Sequence, residues 1–195
     1  MSRGRPRQFD PEKALEAALL QFWRHGYEGT SLVALTTAMG INTPSLYAAF
    51  GSKERLFRMA LDRYIERPAS YLPKALQAPT AREAVERLFD GAIHMVMHPR
   101  RPDGCLLVQG ALATGPETAE VRKELSRRRA GAEAAVRRRF ERAVEERDLP
   151  RNTDAAKLAK YVVTVIWGMS VQAAGGATRR RTGCPRDRIP ARAPD

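Results

Sequence analysis

An all-α fold is what this sequence predicts, and three observations predict it. Apolar residues recur at three- and four-residue steps, as in Leu15, Ala18, Leu19, Phe22 and Trp23, or in Leu56, Phe57, Ala60, Leu61 and Tyr64. No stretch alternates apolar and polar residues with a period of two, so a sheet is not expected. Helix-capping residues stand where the apolar runs begin: Asp10 before Pro11, Ser31 before Leu32, Ser52 before Lys53. The predicted layout is an N-terminal three-helix domain containing a helix-turn-helix, with a linking helix, followed by a second helical domain.

The first helix is expected from Asp10, with Pro11 at a position that needs no donor, to the stop at Gly26. The second is short, Ser31 to Met39, capped by Ser31 or Thr30 and apolar at Leu32, Leu35 and Met39. Gly40, free to adopt the left-handed conformation, turns the chain, and Ile41 plugs the corner. The third helix follows at once. Asn42 or Thr43 can accept from its first N–H groups, and Pro44 needs no donor there. Leu46 and Phe50, four apart, point inward and leave Pro44, Ser45, Tyr47 and Ala48 outward. Two short helices across a glycine turn is the geometry that sets a recognition helix in the major groove, so double-stranded DNA is the expected partner. The linking helix runs to about Ile65, and Pro68 ends the unit.

Leu46 to Phe50 reads L-Y-x-x-F, and Gly51 to Phe57 reads G-S-K-E-x-L-F; both strings resemble the TetR family of bacterial repressors. The resemblance covers about residues 7 to 175. It implies that Tyr47 and Lys53 touch DNA phosphates, that the partner is a DNA operator, and that the second domain binds a small-molecule effector and forms a homodimer. Lys53 also fits physically, since it lies in the first turn of a helix, where free N–H groups and the dipole favour an anion. With Thr30, Ser31, Asn42, Thr43, Pro44, Ser45 and Ala48, these two complete the expected DNA-contacting set of the motif. The expected function is a transcriptional regulator, most simply a repressor released by a small-molecule or thiol-reactive effector.

A chain of 195 residues with 43% hydrophobic content makes one or two small domains with a real core. The start, M-S-R-G-R-P-R, has no apolar stretch for a signal peptide, and two cysteines make no disulfide framework, which predicts a cytoplasmic protein. The uncharged, largely apolar run from Tyr161 to Ala177 is too short to span a bilayer. The net charge of +12 invites an inference to nucleic acid, but it is spread along the chain. Residues 1 to 67 carry ten basic and seven acidic groups, and their whole excess comes from Arg3, Arg5 and Arg7. Attraction to phosphate is therefore expected in an arm over residues 1 to 8. Arg3-Gly4-Arg5-Pro6 resembles the core of the AT-hook, which slips into a narrow A·T minor groove.

Residues 9 to 67 are assigned to the DNA-binding domain and 68 to 177 to the effector and dimerisation domain. In the latter, Ala81 to His98 puts Val85, Leu88, Phe89, Ala92 and Val96 on one face, and P-R-R-P-D-G at 99 to 104 breaks the helix. Cys105 to Thr114 is a short apolar segment, and Glu117 to Asp148 predicts a charged helix of about 48 Å. Asp154 to Ala174 is apolar at Leu158, Tyr161, Val162, Val165, Ile166 and Met169, the expected dimerisation stripe. Residues 178 to 195, with six arginines and three prolines, cannot bury a face and are expected to be disordered. The family's further apolar helix is therefore expected to be missing, with a smaller dimer interface as the consequence.

Three constellations have chemical potential. His94 and His98 have the four-residue spacing that can grip a metal, but they lie opposite the apolar stripe beside Arg87 and Asp90, and a solvated face without metal is the expected outcome. Cys105 follows a glycine at a helix start, where the dipole can favour the thiolate if the sulfur is exposed. Some members of the resembling family sense oxidants or electrophiles through such a G-C-L string; the plainer alternative is a small buried hydrophobe. The arginine triplets at 127 to 129 and 137 to 139 are interleaved with eight acidic residues from Glu117 to Asp148, as in a salt-bridged, solvated helix. No catalytic set or phosphate loop is present in the sequence, so neither an enzyme nor a cofactor is expected. Two rival functions remain, an architectural DNA-binding protein without an effector and a helical binding protein for an acidic partner.

Overall fold

The computed structural model describes residues 9 to 112 and 118 to 177. Nine helices occur among them: α1 (Pro11–His25), α2 (Leu32–Met39), α3 (Thr43–Phe50), α4 (Lys53–Glu66), α5 (Tyr71–Ala75), α6 (Ala81–Val96), α7 (Leu106–Leu112), α8 (Ala119–Glu145) and α9 (Ala155–Ala174). No strand is found among the described residues.

The N-terminal caps form as the sequence predicts. Asp10 accepts from the backbone N–H of Glu12 at 2.9 Å, Ser31 from Ala34 at 3.0 Å, Asn42 from Ser45 at 2.9 Å and Ser52 from Arg55 at 3.0 Å. Gly40 sits at φ 65° in the left-handed region, where a side chain would be strained. α1 packs against α2 and α4, and their shared core is aromatic: Phe22, Trp23, Phe50, Phe57 and Tyr64 are almost wholly buried with Leu19, Leu35, Leu46, Leu56 and Leu61.

This core does not stop at residue 67. Met95, Val96, Cys105, Leu106, Val108, Val121, Leu125 and Ala173 belong to it as well. Polar links follow the same seam. The indole Nε1 of Trp23 donates to the Gly104 carbonyl at 3.2 Å, and Arg128 on α8 bridges to Asp62 on α4 at 2.7 Å. A second core, built from Leu88, Phe89, Val136, Phe140, Val162, Val163 and Ile166, lies between α6, α8 and α9.

Several expected boundaries move. α6 ends at Val96, two residues before His98, with Met97 as its cap. α8 is 27 residues long, about 40 Å rather than 48 Å. It stops because Arg147 adopts φ 63°, and the N–H of Asp148 closes onto the Ala143 carbonyl at 2.8 Å. α5 went unread in the sequence because five residues are too few for a periodicity to register. The solvated reading of α8 holds for Arg137 and Arg142, but Glu124 and Arg139 are buried. Arg139 points into the second half and donates to the carbonyls of Ala78 and Pro79 at 3.0 and 3.1 Å. A charge pattern gives a helix's average environment, not which of its arginines faces inward.

Candidate nucleic-acid interface

The outward side of the helix-turn-helix is built by what is buried beneath it. Leu46 and Phe50 are 0% and 2% exposed, which fixes the rotation of α3 and leaves Asn42, Thr43, Pro44, Tyr47 and Ala48 exposed; Ser45 is half-buried. Ser31 is exposed at the start of α2, with its Oγ engaged as the cap. The expected set on α3 and at Ser31 thus lies at the surface.

Thr30 departs from it. Its side chain is completely buried, and its Oγ1 donates to the Gly26 carbonyl at 2.6 Å. The Thr30 side chain therefore fastens the end of α1 to the start of α2 and is not offered at the surface, and its neighbour Ser31 is the cap. Sequence could offer both hydroxyls as caps, since either precedes the apolar run; only the packing of α1 chooses between them.

Lys53 opens α4, half-buried, with its Nζ 4.4 Å from the centroid of the Tyr27 ring. Burial lowers its pKa, and the carboxylate of Glu28 partly restores it. Tyr27 was not singled out by the sequence, although the Gly26-Tyr27 step that closes α1 marks a place where the chain turns back on the motif. Val33 on α2, 74% exposed, was also missed; it is the residue left over once Leu32, Leu35 and Met39 take the inward side. Arg3, Arg5 and Arg7 lie outside the described residues.

Cys105 corrects an expectation about its chemistry. Its thiol is buried at the approach to α7, and desolvation pushes its pKa up. The Tyr64 hydroxyl and the N–H groups of Leu107 and Val108 pull in the other direction without prevailing. The helix start is present as expected, but burial outweighs the hydrogen bonds that its N–H groups offer the sulfur. His94 is exposed and its ring lies 5.8 Å from that of His98, and no group of three possible metal ligands occurs among the described residues.

The proposed dimerisation stripe divides. Val162, Ile166 and Met169 are buried in the chain's own second core and are not available to a partner. Tyr161 is 63% exposed, Leu158 and Val165 are half-buried, and Val171, which was not expected, is 49% exposed. A stripe wide enough to cover two sides of a helix was read as one face. No helix among the described residues is long and apolar enough to cross a membrane.

Comparison with known proteins bears on this arrangement directly. Residues 14–60 match the family described as bacterial regulatory proteins, tetR family, and residues 81–179 match the tetracyclin repressor-like C-terminal domain. The chain is 34% identical over 179 residues to the HTH-type transcriptional repressor ComR of Escherichia coli (strain K12), covering 91% of this chain and 85% of ComR. It is 31% identical to the HTH-type transcriptional regulator YezE of Bacillus subtilis (strain 168), covering 82% of this chain and 83% of YezE. Among solved structures it is similar to the TetR family transcriptional regulator CifR, a cysteine mutant complexed with 26-base-pair double-strand operator DNA: 45% identity, TM-score 0.88, 91% of this chain and 94% of that one. The expected disorder of residues 178 to 195, and the missing last helix inferred from it, lie outside the described residues. The two family matches take in most of the sequence and meet a helix-turn-helix with its reading face exposed: the chain belongs to the TetR family of bacterial regulatory proteins.

Proposed function

We propose that this protein is a one-component transcriptional repressor acting on DNA in the cytoplasm. Residues 9 to 67 read an operator, and residues 68 to 177 pair with a second copy and bind a small molecule. Two subunits set their α3 helices in successive major grooves of a near-palindrome, and an effector in the second half favours a spacing that no longer fits. The observation that carries this is the exposed face of α3 over a fully buried Leu46 and Phe50, with Lys53 at the adjoining start of α4. The repressor name of ComR and the operator complex of CifR support the same reading.

The reading face is poor in hydrogen-bonding groups. Asn42 spends its Oδ1 on its own cap, and Pro44, Ala48 and the exposed Val33 offer only apolar contact. Thymine methyls and A·T-rich shape therefore carry much of the specificity, with Arg3 and Arg5 in the minor groove alongside. A footprint dominated by guanine contacts would overturn this.

The test is a titration of the protein against duplexes tiled across the region upstream of its own gene, at two salt concentrations, with a scrambled duplex as competitor. Tight binding to one tile that survives competition is expected. Equal, salt-sensitive binding to every tile would favour the architectural alternative, in which only the basic arm and the arginine-rich tail hold DNA.

A further inference from the structure

We propose that Tyr27 is a positioning residue for DNA binding: the face of its ring holds the Lys53 ammonium in place for the phosphate that Lys53 contacts. The inference rests on the reading of Lys53 as a phosphate contact and deepens it.

A lysine is a poor ready-made contact. Its four-carbon stem samples many rotamers, and the freedom lost on meeting a phosphate opposes binding. Here the ammonium has a resting place. Its Nζ lies 4.4 Å from the Tyr27 centroid, within the range at which the negative face of an aromatic ring attracts a cation.

The platform is itself immobilised. Tyr27 lies nearly parallel to Phe22, at 6.2 Å and 12°, and meets Phe57 at 5.2 Å and 66°. Both phenylalanines are completely buried. Phe57 stands four residues beyond Lys53 and so on the same face of α4, which means that one ring engages two consecutive turns of that helix. The Tyr27 ring thereby ties the end of α1 to the first turn of α4. Partial burial of Lys53 strengthens the attraction between ring and cation, because less water competes for the ammonium. Glu28, next in sequence, adds a favourable charge to Lys53 and accepts a hydrogen bond from Thr118 at the start of α8 at 2.9 Å.

The test uses the full chain and the upstream tile that the wild type holds most tightly, titrated between about 50 and 200 mM salt. Lys53→Ala should weaken binding and reduce the slope of log K against log[salt] by about 0.9 for each phosphate that is no longer neutralised. Tyr27→Leu should move affinity and slope in the same direction, by roughly fivefold or more in affinity, and should add little to Lys53→Ala in the double variant. An unchanged slope in Lys53→Ala would remove the phosphate contact and the proposal with it. A Lys53→Ala loss that Tyr27→Leu does not share, or fully additive losses, would overturn the positioning role alone. Because Tyr27→Leu also disturbs packing, phenylalanine and its mono-, di- and trifluorinated forms at position 27 provide the decisive series. They keep the shape and progressively drain the negative face. Affinity falling stepwise with fluorine count supports the proposal, and constant affinity across the series refutes it.

Discussion

The phenolic oxygen of Tyr64 stands 3.2 Å from the sulfur of Cys105, although 41 positions separate them in the chain. The same oxygen is 3.2 Å from the sulfur of Met95. The end of the linking helix α4, the last turn of α6 and the approach to α7 therefore meet at one completely buried side chain. A displacement of α6 or α7 would therefore act on α4, which carries Lys53 at its other end. Burial pushes the Tyr64 hydroxyl well above its ordinary value and also raises the Cys105 thiol, so both remain protonated and able to donate at neutral pH.

Cys105 should consequently be sluggish as a nucleophile. In a variant with the chain's other cysteine, Cys184, replaced by serine, alkylation by iodoacetamide at neutral pH is expected to be roughly tenfold slower, or more, in the folded protein than in denaturant, since both access and the thiolate fraction are reduced. Mass spectrometry of quenched aliquots measures the rates. Equal rates would mean that the core around Tyr64 opens readily, and would favour thiol-reactive control.

Thr30 and Ser31 should separate fold from recognition. Thr30→Val removes a buried hydroxyl that donates to Gly26 and leaves that carbonyl short of a partner, at a cost of about 1–2 kcal/mol. Ser31→Ala removes the α2 cap at about 1 kcal/mol. Urea melts should register both. The salt dependence of DNA binding should be unchanged in Thr30→Val, and a reduced slope there would return Thr30 to the DNA-contacting set.

Acid stability should depend on Glu124. Its side chain is 9% exposed, and its hydrogen bonds and ion pairs with Arg127 and Arg128 hold its pKa down at about 2 against an ordinary value of 4.5. A carboxylate depressed in the folded state contributes stability that is full above the ordinary value and is lost as pH falls from about 4.5 through about 2. Allowing for screening around the exposed Arg127, the contribution is on the order of 2 kcal/mol. Chemical denaturation from pH 6 to pH 2.5 should show Glu124→Gln less stable than wild type at the upper end, with the gap shrinking to about a quarter at the lower. A constant gap across that range would mean that the pairs do not stabilise the fold through ionisation.

Two neighbours on α9 should fail differently. Tyr161→Asp places a charge on the exposed side and should shift the protein from dimer to monomer in sedimentation while leaving its helical content intact. Val162→Asp buries that charge in the second core, where Val162 is 2% exposed, and should cost several kcal/mol and unfold the domain. A Tyr161→Asp protein that remains dimeric would move the interface off this face.

The helices and the reading face were legible in the sequence because they are set by local chemistry. Asp10, Ser31, Asn42 and Ser52 cap the helices whose starts they mark, Gly40 takes its positive φ, and Leu46 with Phe50 fixes which side of α3 faces out. These are interactions between residues a few positions apart, and their spacing alone specifies them. What the tertiary structure decided depends on residues far apart in the chain. The Cys105 thiol is raised because the surrounding core excludes water, against the pull of the Tyr64 hydroxyl. Val162, Ile166 and Met169 turn inward because α6 and α8 occupy that side of α9, and Lys53 meets an aromatic face because Tyr27, 26 positions earlier, lies against the start of α4. Periodicity states that a face is apolar; which neighbour covers it, and whether water reaches the groups beside it, follow only from packing.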